Sequence, residues 1–387
     1  MYHSYEENEE YDDYEEALRR AEWKKKLSRM KREKERALRR RRIFIKIGIP
    51  AIIIGLLAIV IAVGVNIIGK SRKNNAKEPV LKEAEAEKQA ADTSELDIET
   101  EEAVEEPKAL YGDISTSSAY KYTEADNMDF LSGDNMQSAN AILVNLATNT
   151  IEGQKDYKAR IVPASMTKVM TLLVASKHIS NPEDKVTISI EATDFSYSND
   201  CSSVGFSVGE VVTVEDLMYG TILSSGGDAA AQLAIYVAGS QEKFVELMNE
   251  ECANLGIDKT THFTNTVGVY DTNLYSTCYD MAIIMNEAIN SDFCRQVLSA
   301  KKYTTSKTAE HPEGITISNW FLRRIEDKDC GGEVTSAKTG YVVQSGNCAV
   351  SYGESESGTP YICVTANAHS AWRCIYDHVD IYKNHTK

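Results

Sequence analysis

An apolar segment at residues 47–69 constrains this chain more than any other feature of its sequence. Its 23 residues carry no charge, and about 20 apolar residues in a helix suffice to cross a bilayer. Four arginines at residues 39–42 precede it, whereas few basic residues follow it. Because basic residues collect on the cytoplasmic side, residues 1–46 are predicted to be cytoplasmic and the chain after residue 69 external. A cleaved signal peptide is the alternative, but the run is too long and begins too late.

The regions on either side of this predicted anchor are polar. Residues 1–16 are acidic and predicted to be disordered, whereas residues 17–42 combine strong helix formers with dense charge. That helix either docks a cytoplasmic partner or anionic lipid, or only fixes the orientation of the anchor, and the second interpretation is favoured. Residues 70–128 are rich in glutamate and poor in large apolar side chains, which predicts a disordered, extended stalk.

Charge and cysteine usage narrow the classes of function. The net charge of −16 argues against nucleic acid as a partner. The sequence has neither a Cys-x-x-Cys pair nor a His-Glu-x-x-His motif, so no metal site and no cofactor are expected. All eight cysteines fall in the external part, where disulfides are permitted. We favour buried thiols over a disulfide framework, with Cys348 and Cys363 on neighbouring strands.

Residues 129–387 have the composition of one large globular domain. Strand patterns at both ends, with helical patterns between them, predict an α+β fold: an antiparallel sheet flanked by terminal helices, with an inserted helical lobe. Strands are predicted at residues 141–144, 186–190, 336–343, 348–352 and 361–366. Helices are predicted at residues 169–179, 213–223, 241–255, 277–290 and 371–382, and a loop at residues 194–209.

Ser165 and Lys168 lie at the predicted start of the first helix of this domain. Residues three apart share one face of a helix, so the two side chains are expected to be neighbours. Pro163 suits a helix start, and the positive end of the helix dipole disfavours a charged lysine. A neutral Lys168 could remove the proton of Ser165 and create a nucleophile. Taken alone, the pattern is more typical of a helix N-terminus with a solvated lysine.

A second serine stands in a glycine-containing loop between two apolar helical patterns. Ser225 is followed by Gly226 and Gly227, and no bulky residue is next to it. An ordinary helix–helix turn has the same composition. The alternative is a second active-site serine that the two helices hold in place.

Three short motifs, in this order, resemble the penicillin-recognising serine enzymes. They are Ser165-x-x-Lys168, Ser225-Gly226-Gly227 and Lys338-Thr339-Gly340. The residues around them narrow the resemblance to the D-alanyl-D-alanine carboxypeptidases, over essentially all of residues 129–387. The resemblance implies a DD-peptidase domain of α+β fold that acts on peptidoglycan pentapeptides and is inhibited covalently by β-lactams. With the predicted anchor, it implies an extracellular enzyme on a bacterial cell membrane.

The resemblance also implies roles for residues. Ser165 would attack the peptide bond before the terminal D-alanine, with Lys168 as base and Ser225 as proton relay. Lys338 and Thr339 would bind the substrate carboxylate, and Arg373 is a further candidate for it, although it is equally typical of an ordinary surface arginine. Gly340 would lie beside the substrate backbone, and Gly227 is a further substrate-binding position. The backbone N–H groups of Ser165 and Tyr341 would form the oxyanion hole.

One departure from the family pattern leaves alternatives open. The second motif usually ends in asparagine, and Gly227 stands in that place. A penicillin-binding sensor with a decayed site is therefore one alternative to the peptidase. A β-lactamase is another, but it needs a carboxylate for fast deacylation, and Glu246 and Glu251 both fit the faces of an ordinary helix.

Overall fold

A computed structural model of the protein describes residues 120–132 and 136–386. The predicted tail, the predicted membrane anchor at residues 47–69 and the predicted stalk up to residue 119 lie outside the described residues. Within the described ranges, every helix is too short or too polar to cross a bilayer.

A six-stranded sheet organises the described chain, in the order β1-β3-β2-β10-β9-β8. The four contacts from β3 to β8 are antiparallel, which confirms the predicted sheet. The strands are β1 (Thr123–Phe130), β2 (Asn140–Asn145), β3 (Thr150–Lys155), β8 (Gly332–Val342), β9 (Gly346–Ser355) and β10 (Pro360–Ala368). Two small hairpins lie outside it: β4 (Lys185–Thr187) with β5 (Val211–Thr213), and β6 (Lys302–Thr304) with β7 (Thr316–Ser318).

Strand β1 corrects two expectations. It pairs with β3 in parallel, so the sheet is not purely antiparallel. It also lies mostly within residues 70–128, which were assigned to the stalk. The folded part therefore extends back to at least Tyr120, whose hydroxyl accepts a 2.7 Å hydrogen bond from Asn290. Edge-strand pairing and such tyrosine contacts leave little apolar pattern in the sequence, so composition alone placed the boundary too late.

The two faces of the sheet bury different helices. On one face, alternate residues such as Ile142 and Val364 pack with helices α1 and α6. On the other face, neighbours such as Leu143 and Cys363 pack with helix α9. These helices are α1 (Thr167–His178), α6 (Cys278–Asn290) and α9 (Ala371–His385).

The inserted lobe is helical, as predicted. Thr213 and Asp216 form a reciprocal capping box at the start of α3, and Gly256 closes α5 in a left-handed conformation with φ +73°. The remaining helices are α2 (Ile190–Ser198), α3 (Val214–Leu223), α4 (Gly227–Ala238), α5 (Gln241–Asn254), α7 (Asp292–Ser299) and α8 (Leu322–Ile325).

Helix α2 is a further correction, because residues 190–198 were predicted to end a strand and begin a loop. Ser189 caps this helix, since its hydroxyl accepts from the backbone N–H of Ala192 at 3.2 Å. Only Ala192 and Ser196 are buried within it. The helix therefore lacks the apolar stripe by which a sequence reveals an amphipathic helix.

Candidate active site

The chain enters helix α1 through a strained turn. A short 3-10 turn, Ala164–Met166, precedes α1 and begins after Pro163. Ala164 has φ +46°, a left-handed conformation that is unfavourable for a residue with a side chain. Ser165 follows it and is only partly buried, so its hydroxyl is accessible at the base of the helix.

Lys168 lies beside Ser165, as the helical spacing predicted. Its Nζ is 3.1 Å from Ser165 Oγ and 3.0 Å from the carbonyl oxygen of Val267, to which it donates. The Lys168 side chain is 2 % exposed. Burial disfavours the charged amine and lowers the pKa of Lys168 to about 8. A substantial neutral fraction near pH 8 makes Lys168 suited to accept a proton from Ser165.

The acceptor for Lys168 belongs to a loop whose role the sequence analysis missed. Asn265 shapes this loop, because its Oδ1 accepts from the backbone N–H groups of Val267, Gly268 and Val269 at 3.2, 2.7 and 3.1 Å. Gly268 has φ +85°, and a Cβ there would lie 1.8 Å from the carbonyl oxygen of Ala164. The signal available in the sequence was Asn-x-x-Gly, which is typical of a loop but does not indicate its contact with the serine turn.

A second serine and lysine face each other on elements that are far apart in sequence. Lys338 on β8 donates to Ser225 Oγ at 3.0 Å and to the carbonyl oxygen of Thr339 at 2.7 Å. Ser225 has φ +54°, so the loop before α4 is strained at this serine. Burial, and secondarily the positive charge of Lys168, hold the pKa of Lys338 well below its ordinary value.

Gly340 allows the strand that carries Lys338 to approach the turn that carries Ser165. A Cβ at this position would lie 2.9 Å from the backbone nitrogen of Ser165 and 3.0 Å from the carbonyl oxygen of Pro163. Strand β8 therefore runs directly against the serine turn, and only glycine permits that approach. The structure brings together Ser165, Lys168, Ser225 and Lys338, which the sequence analysis placed in one site.

Comparisons with known proteins indicate the same family as the three sequence motifs. A family model described as D-alanyl-D-alanine carboxypeptidase, Peptidase S11, matches residues 127–370. The chain belongs to this family. D-alanyl-D-alanine carboxypeptidase DacF of Bacillus subtilis is 28% identical over 212 residues, which are 55% of this chain and 53% of the relative. The carboxypeptidase of Streptomyces strain K15 is 33% identical over 184 residues, 46% of this chain and 63% of the relative. The chain thus spans between half and two thirds of these two relatives.

Solved structures extend the similarity to the fold. The Streptomyces K15 DD-transpeptidase has a TM-score of 0.59 at 27% identity, over 65% of this chain and 98% of that one. Penicillin binding protein 5 of Haemophilus influenzae has a TM-score of 0.56 at 27% identity, over 64% of this chain and 70% of that one. These matches confirm the predicted α+β fold of the DD-peptidase type.

Three other residues of this carboxypeptidase family member were predicted to bind substrate, and they differ in solvent exposure. Thr339 is half-buried beside Lys338, whereas Tyr341 is 61% exposed at the end of β8. Arg373 is exposed in the first turn of α9, and its backbone N–H donates to the capping Ser370 at 3.2 Å. The roles of these three residues stay predictions.

Gly227 lies at the first turn of α4, where no larger residue fits. A Cβ would lie 2.6 Å from Cys201 Cβ and 2.9 Å from Ser196 Oγ. The backbone N–H of Gly227 donates to the carbonyl oxygen of Ser202 at 2.7 Å, which draws the preceding loop onto the helix. Ser196 and Cys201 therefore occupy the space that a side chain at residue 227 would need.

The two glutamates considered as the carboxylate of a β-lactamase lie on α5, and neither hydrogen-bonds to Ser165 or Lys168. Glu251 is buried on α5 and pairs with Lys177 at 2.7 Å, and Glu246 is exposed on the same helix. Among the residues described, no carboxylate hydrogen-bonds to Ser165 or Lys168.

The eight cysteines are all free thiols, and seven of them are buried. Cys348 and Cys363 lie on the paired strands β9 and β10, as predicted.

Proposed function

We propose that this protein removes the terminal D-alanine from peptidoglycan stem peptides through an acyl-enzyme on Ser165. The observation that carries the proposal is the contact of the accessible Ser165 hydroxyl with the desolvated amine of Lys168, 3.1 Å away. Membership of the carboxypeptidase family supports the substrate class.

Acylation begins as Ser165 Oγ attacks the carbonyl carbon before the terminal D-alanine, while Lys168 takes the hydroxyl proton. Lys168 keeps its N–H donation to Val267 during this step, which holds its lone pair toward the serine. The C–N bond then breaks, and the departing amine receives a proton through Ser225. Water attacks the resulting ester, its proton passes to Lys168, and Ser165 is released with its own proton restored.

Lys338 is suited to hold the free carboxylate of the substrate. Burial and the charge of Lys168 both disfavour the charged form of Lys338. A substrate carboxylate supplies the missing counter-charge, and the pair then stabilises both ions. Thr339 would add a hydrogen bond, Gly340 makes room for the peptide backbone, and Arg373 is a further candidate for the carboxylate.

β-Lactams are proposed as covalent inhibitors that acylate the same hydroxyl. The oxyanion of either reaction would be held by the backbone N–H groups of Ser165 and Tyr341. Close contact of strand β8 with the serine turn supports this assignment, since both groups then border one space.

D-Alanine release from a peptide ending in D-Ala-D-Ala tests the proposal. The wild-type chain should release D-alanine, and Ser165→Ala should release none above background. Ser351→Ala is a matched control, because Ser351 is a buried serine of β9 in the core that faces α9. Equal release by wild type and Ser165→Ala would contradict the proposal.

Timed release of a fluorescent penicillin separates the alternatives. Slow loss of label together with D-alanine production supports the carboxypeptidase. Rapid loss would indicate a β-lactamase, which the commitment of Glu251 to Lys177 disfavours. Stable labelling without peptidase activity would indicate a penicillin-binding sensor.

We further propose that residues 47–69 anchor the protein in the cell membrane, with residues 1–46 in the cytoplasm. The length of the apolar run and the arginines before it support this orientation. Deletion of residues 47–69 should move the protein out of the carbonate-resistant membrane fraction. Alkaline phosphatase, which is active only outside the cytoplasm, should be active when fused after residue 119 and inactive after residue 46. The opposite pattern would refute the orientation.

A further inference from the structure

The space beside Gly227 is occupied by a side chain from the loop that follows α2. Cys201 Cβ and Sγ lie 2.6 and 3.1 Å from the position that a Cβ of residue 227 would take. Real Cβ atoms do not approach each other to 2.6 Å, so a side chain at residue 227 and Cys201 exclude one another. Cys201 therefore stands where the third residue of the motif would begin.

This loop is fastened to the start of α4 by a buried carboxylate. Asp228 accepts from Ser203 Oγ at 2.8 Å, from the Val204 N–H at 2.9 Å and from the Gly205 N–H at 3.0 Å. The Cys201 N–H itself donates to the carbonyl oxygen of Ser196 at 3.0 Å. These bonds hold the backbone of the loop on both sides of Cys201, and so place Cys201 beside the motif.

Cys201 differs from the other seven cysteines because it alone is partly exposed. The titratable groups close enough to interact electrostatically with Lys168 are Cys201, Asp228 and Lys338. Burial raises the pKa of the Cys201 thiol, although Lys168 acts in the opposite direction, so the thiol is neutral near pH 7. A neutral thiol acts as a small apolar group and contributes volume rather than charge.

We propose that Cys201 is a positioning residue that replaces the missing third side chain of the second motif and keeps water away from Lys168. This inference rests on the proposed function, since it concerns the base of that reaction. Desolvation of the amine lowers the pKa of Lys168 to about 8, so a neutral fraction of the amine is present near neutral pH. The Cys201 sulfur closes the wall that Gly227 leaves without a side chain, and thereby maintains the desolvation.

The pH dependence of acylation by a fluorescent penicillin tests this role in the full chain, purified in detergent. Cys201→Ala keeps Cβ and removes only the sulfur. Water then reaches Lys168, and the midpoint of the rise in acylation rate should move up by about 0.5–1 pH unit, with a three- to tenfold lower rate at pH 7. Cys201→Ser, which refills most of the volume, should restore part of the shift.

Cys330→Ala is the matched control, because it removes a buried thiol in the core that faces α9. It should leave the midpoint unchanged, whatever its effect on thermal stability. An unshifted midpoint in Cys201→Ala, or a uniform loss of rate at every pH, would overturn the inference. A wild type that is not acylated at all would instead overturn the proposed function.

A rescue experiment tests directly whether a side chain at residue 227 and the Cys201 side chain exclude one another. Gly227→Ala should lower the acylation rate, because its new Cβ collides with Cys201. Adding Cys201→Gly removes the colliding atoms and should recover at least a threefold increase over Gly227→Ala alone. Adding Cys201→Ala keeps the colliding Cβ and should give no recovery. Equal rates in the two double variants would contradict the replacement of one side chain by the other.

Discussion

The two faces of the main sheet each carry a polar cluster built around a serine, and only one of them is suited to chemistry. On the face of α1, Ser165 is partly exposed beside Lys168. On the face of α9, Ser351 Oγ lies 2.8 Å from His378 Nδ1, and Thr365 Oγ1 lies 3.0 Å from His378 Nε2. By residue type alone, the second cluster is the more obvious candidate for a catalytic site.

The difference between the two clusters lies in solvent access. Ser351, Thr365 and His378 are all 0% exposed, and both ring nitrogens of His378 have partners. That cluster is a closed network that stabilises the packing of α9. Ser165 instead is partly exposed, and its partner Lys168 is able to exchange a proton near pH 8. The comparison teaches that a reactive serine needs space for a substrate as well as a base.

The largest effect expected is on the open face, from Lys168→Met. The variant keeps the buried chain and removes the amine, so acylation should fall on the order of a thousandfold. Its free energy of unfolding should not decrease, because a desolvated amine is costly to bury. Stopped-flow labelling with a fluorescent penicillin and urea unfolding measure the two quantities.

Lys177→Met provides the control on the same helix. Lys177 pairs with Glu251 and Glu287 at 2.7 and 3.0 Å, away from the serine. Its loss should reduce the free energy of unfolding by about 1–3 kcal/mol and leave acylation of the folded protein unchanged. If Lys177→Met impaired acylation as much as Lys168→Met, the special role of Lys168 would be refuted.

A smaller effect is expected from Asn265→Ala, which loosens the loop that carries the acceptor for Lys168. Three backbone N–H groups lose the Asn265 oxygen, so the free energy of unfolding should fall by about 1–3 kcal/mol. Acylation should fall about tenfold, because Val267 no longer holds the amine toward Ser165. Loss of stability with an unchanged acylation rate would show that this loop is only structural.

The smallest effect expected is on the pH dependence of the free energy of unfolding, and it comes from His378 on the face of α9. Burial lowers the pKa of His378 to about 3, whereas a histidine in the unfolded chain titrates near 6.5. Between these values only the unfolded state binds the proton, so the His378 contribution to stability is lost as pH falls below 6.5. The slope is at most about 1.4 kcal/mol per pH unit. Urea unfolding at pH 7, 6 and 5 should show a shallower fall for His378→Gln, and equal slopes would contradict the assignment.

The sequence predicted what depends on local pattern. The helical spacing of Ser165 and Lys168 predicted that the two side chains are neighbours, which is confirmed. The capping box of Thr213 and the glycine after α5 are signals of the same short range, and they bound helices that were predicted at residues 213–223 and 241–255. The family motifs added the expectation that Ser225 and Lys338 would meet, 113 positions apart in the chain. The local features need no knowledge of how distant segments pack, whereas the meeting of Ser225 and Lys338 was expected only from the family resemblance.

What the sequence did not predict depends on packing between distant segments. The Val267 acceptor, the parallel pairing of β1 and the filling of the Gly227 space by Cys201 are examples. Each results from the close approach of two elements whose own sequences look ordinary. Gly227 left open in the sequence whether the site had decayed, and no sequence signal indicated that Cys201 lies beside it.

The most direct test of the central claim, that a neutral Lys168 activates Ser165, is the pH dependence of penicillin acylation in the wild-type chain. The folded pKa of Lys168 is lowered to about 8, so the neutral amine increases as pH rises through that value. We predict that the acylation rate rises with a single-proton midpoint near pH 8 and that this rise is absent in Lys168→Met. A rate that is constant from pH 6 to pH 9, or that falls as Lys168 loses its proton, would contradict the account.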